Sequence, residues 1–85
     1  MKIEIIKNKR LEDFKSWPIW ECQISKFDWE YNQEEHCYIL EGKVEVLHGD
    51  NVVRISKDDY VIFPKGLKCT WNVSKPIRKY YLNKK

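Results

Sequence analysis

No apolar run in the sequence approaches the 18 residues that a membrane-spanning helix needs, and the charged start, Met1-Lys2-Ile3-Glu4, lacks the apolar core of a secretory signal. A cytoplasmic protein with no membrane partner is expected. Cysteine occurs only three times, an odd number, and without a Cys-x-x-Cys pair. That supports neither a disulfide framework nor a zinc ribbon, and the thiols are expected to be reduced. Neither sign of charge dominates: 16 Lys and Arg against 13 Asp and Glu leave +3, interspersed along the chain. The basic concentrations, Lys7-Asn8-Lys9-Arg10 and Lys84-Lys85, are short and terminal, and no nucleic-acid partner is expected. Helix is nearly absent as well. The one candidate, Lys7 to Ser16, has Leu11 and Phe14 at i and i+3 but is too short for more than about two turns. It predicts a connector with at most one helical turn, ended at Trp17-Pro18 because the residue before proline is pushed out of the helical region.

What is present is a large share of rings. Of 85 residues, 42% are hydrophobic and 14% aromatic, including four Trp and five Tyr. A chain of this length folds as one domain, residues 1–85, burying roughly 60 to 65% of its unfolded surface. No repeat, linker or low-complexity segment interrupts it.

Period-2 alternation places the strands. Met1 to Ile6 alternates charged and apolar residues and reads as an edge strand whose lysines discourage unwanted pairing. In Trp20 to Ser25, Trp20, Cys22 and Ile24 share one face, and in the next run Phe27, Trp29 and Tyr31 share another. Asn32-Gln33-Glu34 is a polar turn. Glu35 to Leu40 is the central strand, broken from Lys43–His48 by Gly42. Gly49-Asp50-Asn51 turns the chain into Val52–Ile55, and Ser56 to Asp59 turns it again into Tyr60–Phe63. After Pro64-Lys65-Gly66, Cys69, Trp71 and Val73 share a face. Ser74-Lys75-Pro76 is read as a turn, and Ile77 to Leu82 as a last strand. Seven to nine short strands at spacings of about 8 to 12 residues argue for an all-β barrel or two-sheet architecture.

The central strand also proposes a site. Glu35, Cys37 and Ile39 share one face and His36, Tyr38 and Leu40 the other, so a carboxylate points into the same interior as Ile39. That is costly unless it has a partner; a hydrogen bond to Tyr31 or Trp71 would be a purely structural answer. His36 falls on the outer face and His48 at a hairpin end, where both read as surface histidines.

Several of these segments resemble a known family. Glu35-x6-Gly42 followed by Asp59-Tyr60-Val61-Ile62-Phe63-Pro64-Lys65-Gly66 resembles the two cupin motifs. Trp17-Pro18-Ile19-Trp20-Glu21, Cys37 to Val44, Phe63 to Leu67 and Cys69-x-Trp71 are similar to the small single-domain cupins grouped with the (S)-ureidoglycine aminohydrolase cupin domain. The resemblance runs from about Trp17 to Tyr81. It implies a cupin jelly-roll β-barrel and, in typical members, a divalent metal held by a His-x-His pair, a glutamate and a third histidine. Laid on this chain, that spacing finds Trp29 and Tyr31 at the first two histidines, keeps Glu35, and finds Cys69 at the third. Gln23 and Asp58 stand where the two motifs begin with glycine, and Asp58 can take the left-handed conformation that glycine usually supplies.

With those histidines replaced, no cofactor is expected. If a zinc, iron or manganese ion were held, Glu35, Cys37 and Cys69 would be its ligands. Cysteine is equally a small core hydrophobe, the plainer reading for Cys22, Cys37 and Cys69. Without a metal, Glu35 desolvated among Trp29, Trp71 and Phe63 is a candidate general acid or base, and Cys69 a candidate catalytic thiol. The pocket would be walled by Trp20, Trp29, Tyr31, Cys37, Phe63 and Trp71.

Three functions follow as expectations: an enzyme related to the ureidoglycine aminohydrolase cupins, acting on a nitrogen-containing metabolite through Glu35; a non-catalytic module binding a small organic molecule; or a structural homodimer paired through the edge strand Lys2 to Ile6. In the first two, Glu35→Gln is expected to leave the fold intact and to abolish what the pocket does.

Overall fold

Two long strands, β4 (Glu34–His48) and β7 (Lys68–Lys84), organise the chain, and the shorter strands attach to their free edges. The computed structural model describes residues 2–84; Met1 of the expected first strand and Lys85 of the terminal basic pair lie outside the described residues. In chain order the shorter elements are β1 (Glu4–Ile6), a 3-10 turn over Leu11–Phe14, β2 (Ile19–Cys22), β3 (Ser25–Glu30), β5 (Asn51–Ser56) and β6 (Tyr60–Phe63).

All pairings are antiparallel. β4 and β7 run against each other from Glu34↔Lys84 to Leu47↔Thr70, with register shifts between Ile39 and Val44. At one end of this ladder the strand order is β1-β6-β4-β7-β2; at the other, β5 flanks β4 and β3 flanks β7. The outer edge of β1 and that of β2 are not joined by a ladder among the described residues. Residues from both ends meet in one core: Ile39, Val61 and Phe63 from the first end pack in the same cluster as Val46, Ile55 and Trp71 from the second. The alternation predicts an all-β architecture, as found, and the one helical turn falls inside the expected connector. The arrangement is consistent with the jelly roll that the cupin resemblance implies, with the sheet not closed into a barrel among the described residues.

Two expected breaks are bends instead. Gly42 does not end a strand, and Ser74-Lys75-Pro76 is not a turn; β4 and β7 run through both. Gly42 has φ +103°, and a Cβ there would run into the Pro76 carbonyl. The glycine that reads as punctuation in one dimension is the place where the two long strands cross closely. Asp58 has φ +74°, so it does take the left-handed position at the start of the second motif. Its N–H donates to the Ile39 carbonyl at 2.9 Å, and Ile39 N–H donates to the Asp59 carbonyl at 3.0 Å, which ties that turn to β4.

The outer face of β4 and β6 is not bare. Phe14 from the 3-10 turn covers Tyr38 and Tyr60, with ring centroids at 5.3 and 5.2 Å, and Trp17 packs beside it. This second cluster packs the connector against the outer face of β4 and β6. Ile24 does not share the buried face of Trp20 and Cys22; it stands 65% exposed in the tight link between β2 and β3.

Candidate functional site

Glu35 is buried, as the alternation of β4 predicts, and its partner is Lys79 rather than Tyr31 or Trp71. Lys79 Nζ donates to Glu35 Oε2 at 2.6 Å, and the two residues are 5% and 8% exposed. Lys79 comes from the inner face of β7, between Ile77 and Tyr81. Sequence reasoning missed it because both faces of Ile77-Arg78-Lys79-Tyr80-Tyr81-Leu82 carry apolar residues, so alternation there does not say which side is inward. Tyr31 and Trp71 satisfy each other instead: Trp71 Nε1–H donates to the Tyr31 hydroxyl at 3.1 Å.

The Lys79 ammonium is surrounded by rings. The centroids of Trp20 and Trp71 both lie 4.8 Å away and that of Phe63 lies 5.9 Å away. Aromatic faces are electron-rich and attract a cation, the more so when water is excluded. Phe63 in turn stacks on Tyr31 at 4.6 Å. The charge is therefore held by one carboxylate and three rings.

Beside this pair lies a cavity of about 430 Å³. Glu35 and Lys79 line it together with Trp20, Phe27, Tyr31 and Trp71, and Asn32, Gln33 and Asn83 also contribute to its wall. Cys37 and Phe63 do not; both are fully buried in the core. Trp29 lines the cavity but is 51% exposed, not interior as its face predicts. β3 lies at an edge, paired on one side to β7, so its alternation is less constrained by burial than that of a central strand. Cys69 lines a separate, more open depression, with Asp28, His48, Gly49 and Thr70, and Trp29 and Glu30 stand between the two. The structure thus brings Glu35 together with Lys79 and the rings, and not with Cys69.

Burial sets the thiol chemistry. Desolvation pushes the Cys37 thiol up to about 12, opposed by nearby Lys79, and pushes Cys69 up to about 11. Both are protonated near neutrality, so neither is an activated nucleophile. The Tyr31 hydroxyl is likewise raised far above its ordinary value by burial, with the Glu35 charge adding to it.

The residues do not fit the divalent metal that the cupin resemblance implies. Glu35 is already engaged by an ammonium, Tyr31 offers a strongly acid-weakened hydroxyl and Trp29 has no donor atom for a cation. Among the described residues, no three His, Cys, Asp or Glu side chains are gathered as a donor set, so Glu35, Cys37 and Cys69 do not form one.

His36 is less open than a surface histidine. It bridges Glu34 and Tyr60 on the outer face, with Nε2 2.7 Å from Glu34 Oε2 and Nδ1 2.6 Å from the Tyr60 hydroxyl.

The all-β arrangement on two long crossing strands is that of a cupin jelly roll. The model of the EutQ-like cupin domain matches residues 10–81, and the chain belongs to that family. A DUF861 family protein from Thermotoga maritima is 47% identical, over 98% of this chain and 100% of its own, with a TM-score of 0.88. The EutQ protein of Clostridium difficile is 23% identical over 93% of this chain, which spans 59% of that longer protein, with a TM-score of 0.69. A putative ethanolamine utilization protein Q from Salmonella typhimurium LT2 is 20% identical over 95% of this chain and 68% of its own, with a TM-score of 0.71. At those identities the last two show the fold alone. No curated protein matches the chain. No helix is long and apolar enough to cross a membrane among the described residues.

Proposed function

We propose that this cupin binds a small organic molecule in the cavity beside Glu35 and Lys79. The observation that carries this reading is a buried ion pair on the wall of an aromatic-lined cavity of about 430 Å³. That volume lies within the range of small-molecule sites, ~300–1,000 Å³, which combine apolar walls with a few convergent polar groups. A flat or apolar body would lie against Trp20, Phe27 and Trp29, and an acceptor group would face the ammonium.

The test is a melting-temperature screen of the intact chain against small carboxylates, carbonyl compounds, amides and amino alcohols. A ligand present at ~100 times its Kd adds about 2.7 kcal/mol of stability, a shift of several degrees for a domain this size. A hit lost in Trp20→Ala supports the cavity; a panel without any shift contradicts it.

An enzymatic reading is favoured by one feature, the retention of Glu35 within sequence blocks similar to those of the ureidoglycine aminohydrolase cupins. In it Glu35 moves a proton on a nitrogen-containing metabolite, without a metal. Turnover of a hit from the screen separates this reading from simple binding. Silence in both assays favours the third reading, self-association through β1, which sedimentation would show as a dimer.

A further inference from the structure

The ion pair with Glu35 leaves most of the hydrogen-bonding capacity of Lys79 unused. A lysine ammonium carries three N–H donors, yet among the described residues its hydrogen bond runs to Glu35 Oε2 alone. Rings cover it at 4.8 Å from Trp20 and 4.8 Å from Trp71, and the side chain still lines the cavity. As a stabilising device this is poor, because desolvating two charges offsets most of what their attraction returns. As a reactive arrangement it is complete. A primary amine, a carboxylate within hydrogen-bond distance to carry its proton, and an adjoining space for a small molecule are the parts that amine nucleophiles use.

We propose that Lys79 forms an imine with a small aldehyde or 2-oxo acid held in the cavity, with Glu35 as the proton carrier. The inference rests on the reading of the cavity as a ligand site and names its substrate class. In the first step Glu35 takes a proton from the ammonium, and the free amine of Lys79 attacks the carbonyl carbon. A C–N bond forms as the C=O π pair moves onto oxygen, and a proton passes from nitrogen to that oxygen to give the neutral carbinolamine. In the second, Glu35 returns that proton to the carbinolamine hydroxyl, the C–O bond breaks and water leaves. The product is an iminium that carries the same single positive charge as the ammonium did. It therefore keeps both the carboxylate and the ring faces as partners, so the cage that holds Lys79 also holds the adduct.

Reductive trapping of the intact chain tests this. The protein is incubated with pyruvate or propionaldehyde and cyanoborohydride, and modified peptides are followed by mass spectrometry. Lys79 is expected to be alkylated ahead of exposed lysines such as Lys7, whose side chain is 68% exposed. Lys79→Arg, which keeps the charge, removes that adduct without a large change in melting temperature. Glu35→Gln, assayed well below its own melting temperature so that it remains folded, slows trapping at Lys79 by about 100-fold relative to the surface lysines. Label confined to surface lysines, with Lys79 recovered unmodified, overturns the imine. In that case a melting shift produced by any compound of the panel without an aldehyde or ketone group, lactate among them, leaves the ligand site standing, and a panel without any shift removes both.

Discussion

Lys79 and Glu35 form their ion pair across different rungs of the β4–β7 ladder. The register partner of Lys79 is Ile39 and that of Glu35 is Asn83, so the lysine side chain lies along the inner face to reach a carboxylate four residues away. A buried pair of this kind is fixed by both members. With Lys79 in place, Glu35→Gln is no longer expected to be silent for the fold. It leaves a buried ammonium without its counter-charge and should cost about 3–5 kcal/mol, as should Lys79→Met from the opposite side. The double variant, Glu35→Gln with Lys79→Met, should recover most of the loss. Urea denaturation of the four proteins measures the coupling, and additive losses would contradict it.

Gly42 and Gly49 both have positive φ, but their surroundings differ. Ala at Gly42 meets Pro76 backbone, whereas Ala at Gly49 meets nothing within 4 Å. Gly42→Ala should therefore cost well over ~2 kcal/mol, and Gly49→Ala only the ~1 kcal/mol of the left-handed conformation. Equal melting losses would mean that the close crossing of β4 and β7 is not a constraint.

Trp29 and Trp71 are both tryptophans on neighbouring strands, exposed 51% and 2% respectively. Trp71→Ala removes a ring packed against Trp20, Phe27 and Phe63 and should cost about 3–5 kcal/mol. Trp29→Ala should change stability by less than ~1 kcal/mol while weakening any ligand found by the screen. Thermal melting together with ligand titration separates the two effects.

Burial of Cys37 predicts a specific alkaline weakness. Its thiol rises from 9.0 to about 12 on folding. Between those values the unfolded chain has lost the proton and the folded chain keeps it, so stability is complete below pH ~9 and falls as pH rises toward 12. Wild type should lose stability more steeply than Cys37→Ala between pH 9 and 11, by on the order of 1 kcal/mol per pH unit. Parallel slopes would show that Cys37 ionises as freely in the folded state as in the unfolded one.

The parts of this fold that were legible in the sequence are those where alternation and burial agree. In β4 the inward set Glu35, Cys37 and Ile39 is read correctly because the strand is central and packed against the core. The turn at Asp58 is legible because few residues take its conformation. Trp29 misleads, since hydrophobicity alone cannot tell an inner ring from a cavity wall open to solvent. Gly42 and Pro76 mislead for the opposite reason: they look like chain breaks singly, and only their juxtaposition shows that each accommodates the other. Lys79 is hidden because a lysine carries no sequence signal of burial, and its partner stands 44 residues away.

The most direct measurement of the central claim is the NMR signal of the Lys79 side chain in protein labelled at lysine ε-carbons. Trp20 and Trp71 at 4.8 Å should shift its ε-methylene protons far from those of the other lysines. On titration with an active compound from the screen, that signal should move while the remaining lysines stay in place. A Lys79 signal at the ordinary lysine position, or one that no bound compound perturbs, would contradict the assignment of this pair as the heart of the site.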